Sequence, residues 1–333
     1  MGLIFPPISQ KDIDNINKFK VYLNYLKCIS DIFDQDRFKT GEHLIEIVRS
    51  RSFIGIQKRT ENKDKIQSVL RNAWATEMQL SFTAEFSQFS CSIHWGIIQL
   101  YYSVYLSLSA LFLSMNDVSP NHDFDTHKVA LKKISNKIRS SPDLYPYPWN
   151  LTYSGDPKAD RKIITLNNLT DPVNLESSPL SRNNGSLIPY ARFLKTTRER
   201  QIENERGIWL KKEGKNKKNL TKQARQKIIS ELYPTTIFDC LYRLRIKANY
   251  KDVEIFLNGA DIEDWAGEFN YSLINISRCT QMTIELLIMR HVGKDVYEKF
   301  VNDFQRYSKI SYDAVKRRWE LLSSLSYTTH STN

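Results

Sequence analysis

Between residues 93 and 115 the chain reads IHWGIIQLYYSVYLSLSALFLSM, a stretch without one charged side chain. A helix of that length can cross a bilayer, so its surroundings have to be either lipid or protein on nearly every side. Three features speak for protein. His94 and Gln99 are polar, serine recurs at Ser103, Ser107, Ser109 and Ser114, and no cluster of Lys or Arg flanks the segment to set an orientation. Ser103, Ser107, Ala110 and Ser114 also follow at intervals of four, three and four, a small-residue stripe that lets another helix come close. The expectation is a buried helix at the centre of a large core, with no membrane partner.

A buried central helix needs others around it, and the periodicity supplies them. Ile13, Ile16, Leu23, Leu26 and Phe33 predict a first helix, opened by Ser9 with Asp12 as a capping box. A break near Gly41 separates it from a second helix over about residues 62–87, with Ile66, Leu70, Ala73, Met78 and Leu80 on its apolar side. After a turn at Ser119, Pro120 and Asn121, the repeat of Ala130, Ile134 and Ile138 predicts a short amphipathic helix. Ile237, Leu241, Leu244 and Ala248 share one face of a helix running to about residue 257, where Asn258 and Gly259 stop it. Asp261 with Asp264 then opens a long helix to about residue 291, with Ala266, Phe269, Leu273, Thr280, Ile284 and Leu287 inward. Two more helices are expected, over about residues 296–307 and 311–322. Almost nothing alternates with period two, so the fold class is mostly α.

The middle of the chain differs. Seven of the eleven prolines fall between residues 140 and 190, which predicts an irregular insertion with a small hairpin near residues 162–169. A basic segment follows directly: between Arg192 and Lys227 thirteen Lys or Arg stand against four Glu, which accounts for most of the net charge of +11. Such a field concentrates polyanions, so RNA or DNA is the natural partner, with Arg243, Lys211, Lys212, Lys215, Lys217, Lys218, Lys222 and Arg225 as candidate contacts. The run KKEGKNKKN reads equally well as a solvated loop. Tyr145, Tyr147, Trp149, Tyr153, Tyr190, Phe193 and Trp209 lie in or beside these segments, where they either stack on bases or pin the insertion to the helices.

Several function classes find no support. The four cysteines form no CxxC pair, so neither a disulfide framework nor a cysteine zinc site is expected. The start, MGLIFPPISQKDID, lacks a secretory pattern, and the expected setting is the reduced cytoplasm. No Gly-rich phosphate loop, serine-hydrolase motif or kinase motif occurs, and no pair of histidines has metal-ligand spacing beside an acid. No cofactor and no metal are expected.

Two separated blocks look alike to one family. Tyr101 and Tyr102 in the apolar helix, Thr126 and His127 opening the next, and the string Arg245-Ile246-Lys247-Ala248-Asn249-Tyr250 stand in the order found in HEPN domains, which this chain resembles over roughly 115 residues in two pieces. The resemblance implies a four- or five-helix bundle that often forms a homodimer. It divides the chain into an N-terminal helical extension (1–88), a first bundle part (89–140), the Pro-rich then basic insertion (141–227), a second bundle part (228–292) and C-terminal helices (293–333). Many HEPN members are metal-independent ribonucleases of toxin-antitoxin, CRISPR-linked or phage-defence systems, and others only bind nucleic acid or nucleotides. The expected function is therefore binding of nucleic acid or a nucleotide within a prokaryotic defence or toxin system. The alternatives are a ribonuclease with a variant site, or a structural subunit docked on a partner protein of such a system.

The resemblance also marks a departure. Ribonuclease members place a His four to six residues after an Arg, the His moving a proton while the Arg stabilises charge on phosphorus. Here Arg245 is followed at that place by Asn249 and Tyr250, and these three are the candidate catalytic residues. Asparagine cannot exchange a proton near neutral pH, and a tyrosine titrating near 10 is a poor base. Arg245, Asn249 and Asp252 share one helix side, where they bind a phosphate or pair with each other. Arg37 and His43 have the family's spacing but lie outside the matching blocks. His127 is read as a cap, and His94 as a core histidine. The whole reading requires the two blocks to fold together, with Arg245 beside the helix that carries Tyr102.

Overall fold

The structure is a computed structural model, and it describes residues 10–59, 61–85, 93–118, 125–177, 187–212, 221–260, 263–308 and 313–325. Its frame is a group of three long helices that all pack on one another. The apolar segment forms α6 (Ile93–Ser114), counting five helices before it, and packs against both α5 (Lys63–Glu85) and α12 (Glu263–Val292). The small-residue stripe works as its spacing implied. Ser103 and Ser107 are fully buried, and the Ser103 hydroxyl lies 2.9 Å from that of Ser277 on α12. At Gly96 the approach is closer still: a methyl group there would sit 2.9 Å from Leu273 Cδ1. By length and composition α6 could cross a membrane, yet 78% of its most apolar window is enclosed by the protein.

The N-terminal helix α1 (Gln10–Phe33) packs against α12 and buries Phe19, Leu23, Leu26 and Phe33, the last against Phe38 and Trp149, while Ile13 stays exposed. Its break resolves into three short helices, α2 (Asp36–Lys39), α3 (Glu42–Arg49) and α4 (Arg51–Ile54). Gly41 joins α2 to α3 at φ +75°, a left-handed conformation that favours glycine. The amphipathic helix α7 (His127–Ser140) begins after Thr126, whose hydroxyl accepts from the Val129 amide. The expected caps at Ser9 and Asp261 and the turn at Ser119–Asn121 lie outside the described residues.

The insertion is irregular only in its first half. Residues 141–177 carry a cis Tyr147–Pro148 bond and a two-stranded ribbon, β1 (Ile163–Ile164) with β2 (Val173–Asn174). The ribbon closes farther along the chain than expected, because Asn167 is taken by an isolated bridge to Thr152. Tyr145, Trp149, Tyr153, Tyr190 and Phe193 are all buried, so these rings pin the insertion and are not free to stack on bases. The basic segment then forms a continuous helix, α8 (Leu187–Lys212), followed by α9 (Lys222–Glu231).

The helix expected over residues 237–257 is interrupted. It begins as α10 (Ile237–Ile246), capped reciprocally by Thr236 and Asp239, and then widens into one π-helical turn, Lys247–Lys251. It resumes as α11 (Val253–Ala260), which continues through Asn258 and Gly259. The chain ends with α13 (Lys294–Ser308) and α14 (Asp313–Ser324). One continuous hydrophobic cluster runs from Phe19 on α1 to Leu322 on α14, so the N-terminal helices, the insertion and the last two helices share a core with the central three.

Candidate functional site

Arg245, on the last turn of α10, reaches α6. Its Nη2 donates to the Tyr102 hydroxyl at 2.7 Å, so the two halves of the resemblance meet in space across 143 residues of sequence. The guanidinium carbon lies 5.2 to 6.0 Å from the ring centres of Tyr101, Tyr102, Tyr242 and Tyr250. Ring faces carry negative potential, and here they take the place a carboxylate would otherwise fill. Arg245 is 7% exposed, and its Nε has no partner among the described residues.

Asp252 does not pair with Arg245. The π turn adds backbone between them, closing with the Asp252 amide on the Lys247 carbonyl at 2.8 Å, and the Asp252 carboxylate binds Lys247 Nζ instead. The same turn leaves Asn249 half-buried and swings Tyr250 outward, 68% exposed. A π turn of this kind is often found where a helix serves a site.

The residue that sequence reasoning placed in the wrong role is His127. It starts α7, but Thr126 does the capping, and the imidazole turns into the tyrosine cluster. Its Nδ1 is 2.8 Å from the Tyr101 hydroxyl, and its ring centre is 4.4 Å from that of Tyr105 and 5.6 Å from that of Tyr242. Burial, and then the Arg245 charge, hold its proton affinity below the ordinary histidine value. Burial also pushes the Tyr101 hydroxyl well above the usual phenol range, so it remains protonated beside the imidazole. Tyr105 donates to the Asp125 carbonyl, two residues before His127, at 2.5 Å. A cation and a neutral imidazole thus share one aromatic enclosure.

On the other side of Tyr242 lies a cleft of about 770 Å³ between α7, α8 and α10. Lys128 and Lys132, four residues apart, stand on the α7 wall, and Arg200 and Asn204 stand on α8 opposite. All four are exposed, and Lys128, Lys132 and Arg200 have no carboxylate partner among the described residues. Arg243 also lines it, its Nη1 held by the Thr196 and Thr197 hydroxyls at 2.8 and 3.2 Å. The acidic lining residues are Glu205 and Asp239. Asp239 is buried, and its oxygens accept from Gln201 at 2.9 Å, from Tyr233 at 3.1 Å and from the Thr236 amide and hydroxyl at 2.8 Å each. Burial pushes its carboxyl up to about 6 despite those donors. Beneath it the fully buried Arg198 donates to the carbonyls of Tyr233, Ile229 and Ser154, tying α9 and the insertion to α8.

The other expected contacts divide. Lys211 on α8 and Lys222 on α9 are exposed, and Lys212 ends α8. Lys215, Lys217 and Lys218 lie outside the described residues. Arg225 does not offer a free charge: it donates to both Asp156 oxygens at 3.1 and 2.5 Å and holds that carboxyl below the usual carboxylate range. His43 is buried, with Nδ1 3.3 Å from the Arg37 carbonyl, while the Arg37 guanidinium pairs with Glu46 at 2.6 Å, so that pair is structural. His94 is half-buried against Trp95, itself 53% exposed, at the edge of the core and not within it. Among the described residues no three His, Cys, Asp or Glu gather as metal ligands. Comparison with protein-family models, with curated proteins and with solved structures finds no match to the chain.

Proposed function

We propose that this chain binds RNA or DNA through the basic cleft between α7, α8 and α10. The observation that carries the reading is the convergence of Lys128, Lys132 and Arg200 on one concavity without carboxylate partners among the described residues. Gathering like charges raises the free energy of the empty protein, and a phosphate strand reverses that term while releasing its own counterions. The resemblance to HEPN domains, and nothing else, supplies the setting of a prokaryotic defence or toxin system. Fluorescence anisotropy with labelled RNA and DNA tests the reading. Binding should weaken steeply with salt, and reversing Lys132→Glu with Arg200→Glu should weaken it far more than reversing the exposed Lys227→Glu on α9. Equal effects of the two changes would contradict it.

The Arg245 and His127 enclosure favours a second reading, metal-independent RNA cleavage. A neutral His127 would take the proton of a ribose 2′-hydroxyl as its oxygen bonds to phosphorus, the P–O5′ bond breaking to leave a 2′,3′-cyclic phosphate while water protonates the departing 5′-oxygen and Arg245 stabilises the charge on the phosphorane. Cleavage in EDTA should then be lost in both His127→Ala and Arg245→Ala. Cleavage that survives in either variant would remove that assignment.

A further inference from the structure

The cleft is not only basic. Its cations stand at the rim, whereas Leu131, Leu232, Ile246, Tyr233 and Tyr242 supply an apolar and aromatic wall. A bare phosphate chain has no use for such a wall, and the edge of a duplex cannot enter a concavity with its bases still paired and stacked. We infer that the cleft takes an unpaired nucleotide, its base against Tyr242 and the apolar wall and its phosphates on Lys128, Lys132 and Arg200, so that the ligand is single-stranded. This rests on the nucleic-acid reading above and specifies it.

Three observations support that choice of occupant. The volume of about 770 Å³ falls within the range of sites that enclose a small organic group. Polar groups able to meet a base edge stand beside the wall. Asn204 is exposed on the α8 wall, and beside it the Gln201 amide is fixed by the Thr235 hydroxyl at 2.5 Å and by Asp239 at 2.9 Å. The wall is also held in place before any ligand arrives. Asp239 is saturated by four donors within the protein, so it fixes Tyr233 and Gln201 and makes no demand on the ligand. Stacking on a fixed aromatic face adds to affinity whichever base is presented.

The test uses the unaltered protein with three probes: a labelled oligouridylate, the same strand annealed to its complement, and a strand of equal length with abasic sugars throughout. The expected result is that the single strand binds about tenfold more tightly than either of the others at equal salt. Tyr242→Leu should bring the single strand down to the level of the abasic strand, with the abasic strand unchanged. Because Tyr242 also packs on Tyr101 and His127, Asn204→Ala provides a surface variant that leaves the fold alone and should weaken only probes with bases. Equal binding of the duplex or of the abasic strand overturns this inference and leaves the nucleic-acid reading intact. Failure of every probe to bind at low salt overturns both.

Discussion

Arg245 carries a full charge into a space walled by four tyrosines, with one hydroxyl hydrogen bond and no carboxylate among the described residues. Charge-assisted hydrogen bonding and the four ring contacts outweigh its desolvation, so Arg245→Leu should lower stability by about 2 kcal/mol in urea titration. A variant as stable as the parent would show that the rings do not compensate the charge. The contact with Tyr102 was legible because both residues sit in motifs whose order implied it. The nearness of His127 was not: a His after a Thr at a helix start reads as part of the cap, and only tertiary packing turns its ring toward Tyr101. Arg225 shows the converse. In sequence it is one of many basic residues, and its partner Asp156 lies 69 positions away. Asp239 has a sharper chemistry. Asn there would offer an NH2 group to donors that require an acceptor, so Asp239→Asn should cost about 2 kcal/mol and unsettle Tyr233.

The helices themselves were readable wherever apolar residues kept a 3.6-residue period. The exceptions have local causes. The π turn at Lys247–Lys251 keeps Ala248 buried and changes the angular position of everything after it, a shift that a helical wheel cannot anticipate. The run KKEGKNKKN, which charge alone reads as a loop, lies mostly outside the described residues, and before it Ile188, Ala191, Leu194 and Ile202 provide a buried side for α8. At the α6–α12 crossing, Gly96→Ala would press a methyl group on Leu273 and should cost about 1–3 kcal/mol, read as a drop in Tm. At the other end of α12, Arg318 of α14 binds Glu77 through both Nη atoms at 2.7 and 2.8 Å and Glu285 at 3.0 Å, all three buried. Trp74 and Tyr297 donate to the same Glu285 at 2.8 Å each. Arg318→Leu leaves two carboxylates without their cation and should cost about 3–5 kcal/mol, far beyond a surface substitution. A near-neutral Arg318→Leu would mean that α14 is not held by this network.

At the scale of the whole molecule, the shared core predicts one cooperative unfolding transition, in which the insertion and the terminal helices melt with the central three. The largest contributions to its pH dependence below neutrality come from three buried groups. His43 and His291 are pushed down to about 4 by burial, so they stay neutral in the fold where the unfolded chain would protonate them near 6.5. Their contribution is complete above that pH and drains away as acid brings it toward 4, by about 3 kcal/mol each. Asp239 works the other way: its carboxyl, raised to about 6 from 3.8, regains about 3 kcal/mol over the same descent. Acidification from pH 6.5 to 4 should therefore lower unfolding free energy by about 3 kcal/mol, and a flat profile would contradict the burial of the two imidazoles. The mostly α class was legible from the sequence, but the cleft was not, because its three walls come from segments that only the assembled core brings together. The salt dependence of single-strand binding tests its role most directly. Each phosphate contact contributes about 0.7 to the slope of log affinity against log salt, so Lys132→Ala with Arg200→Ala should reduce that slope by about 1.4. A slope unchanged in the double variant would mean that the strand is held elsewhere on the protein.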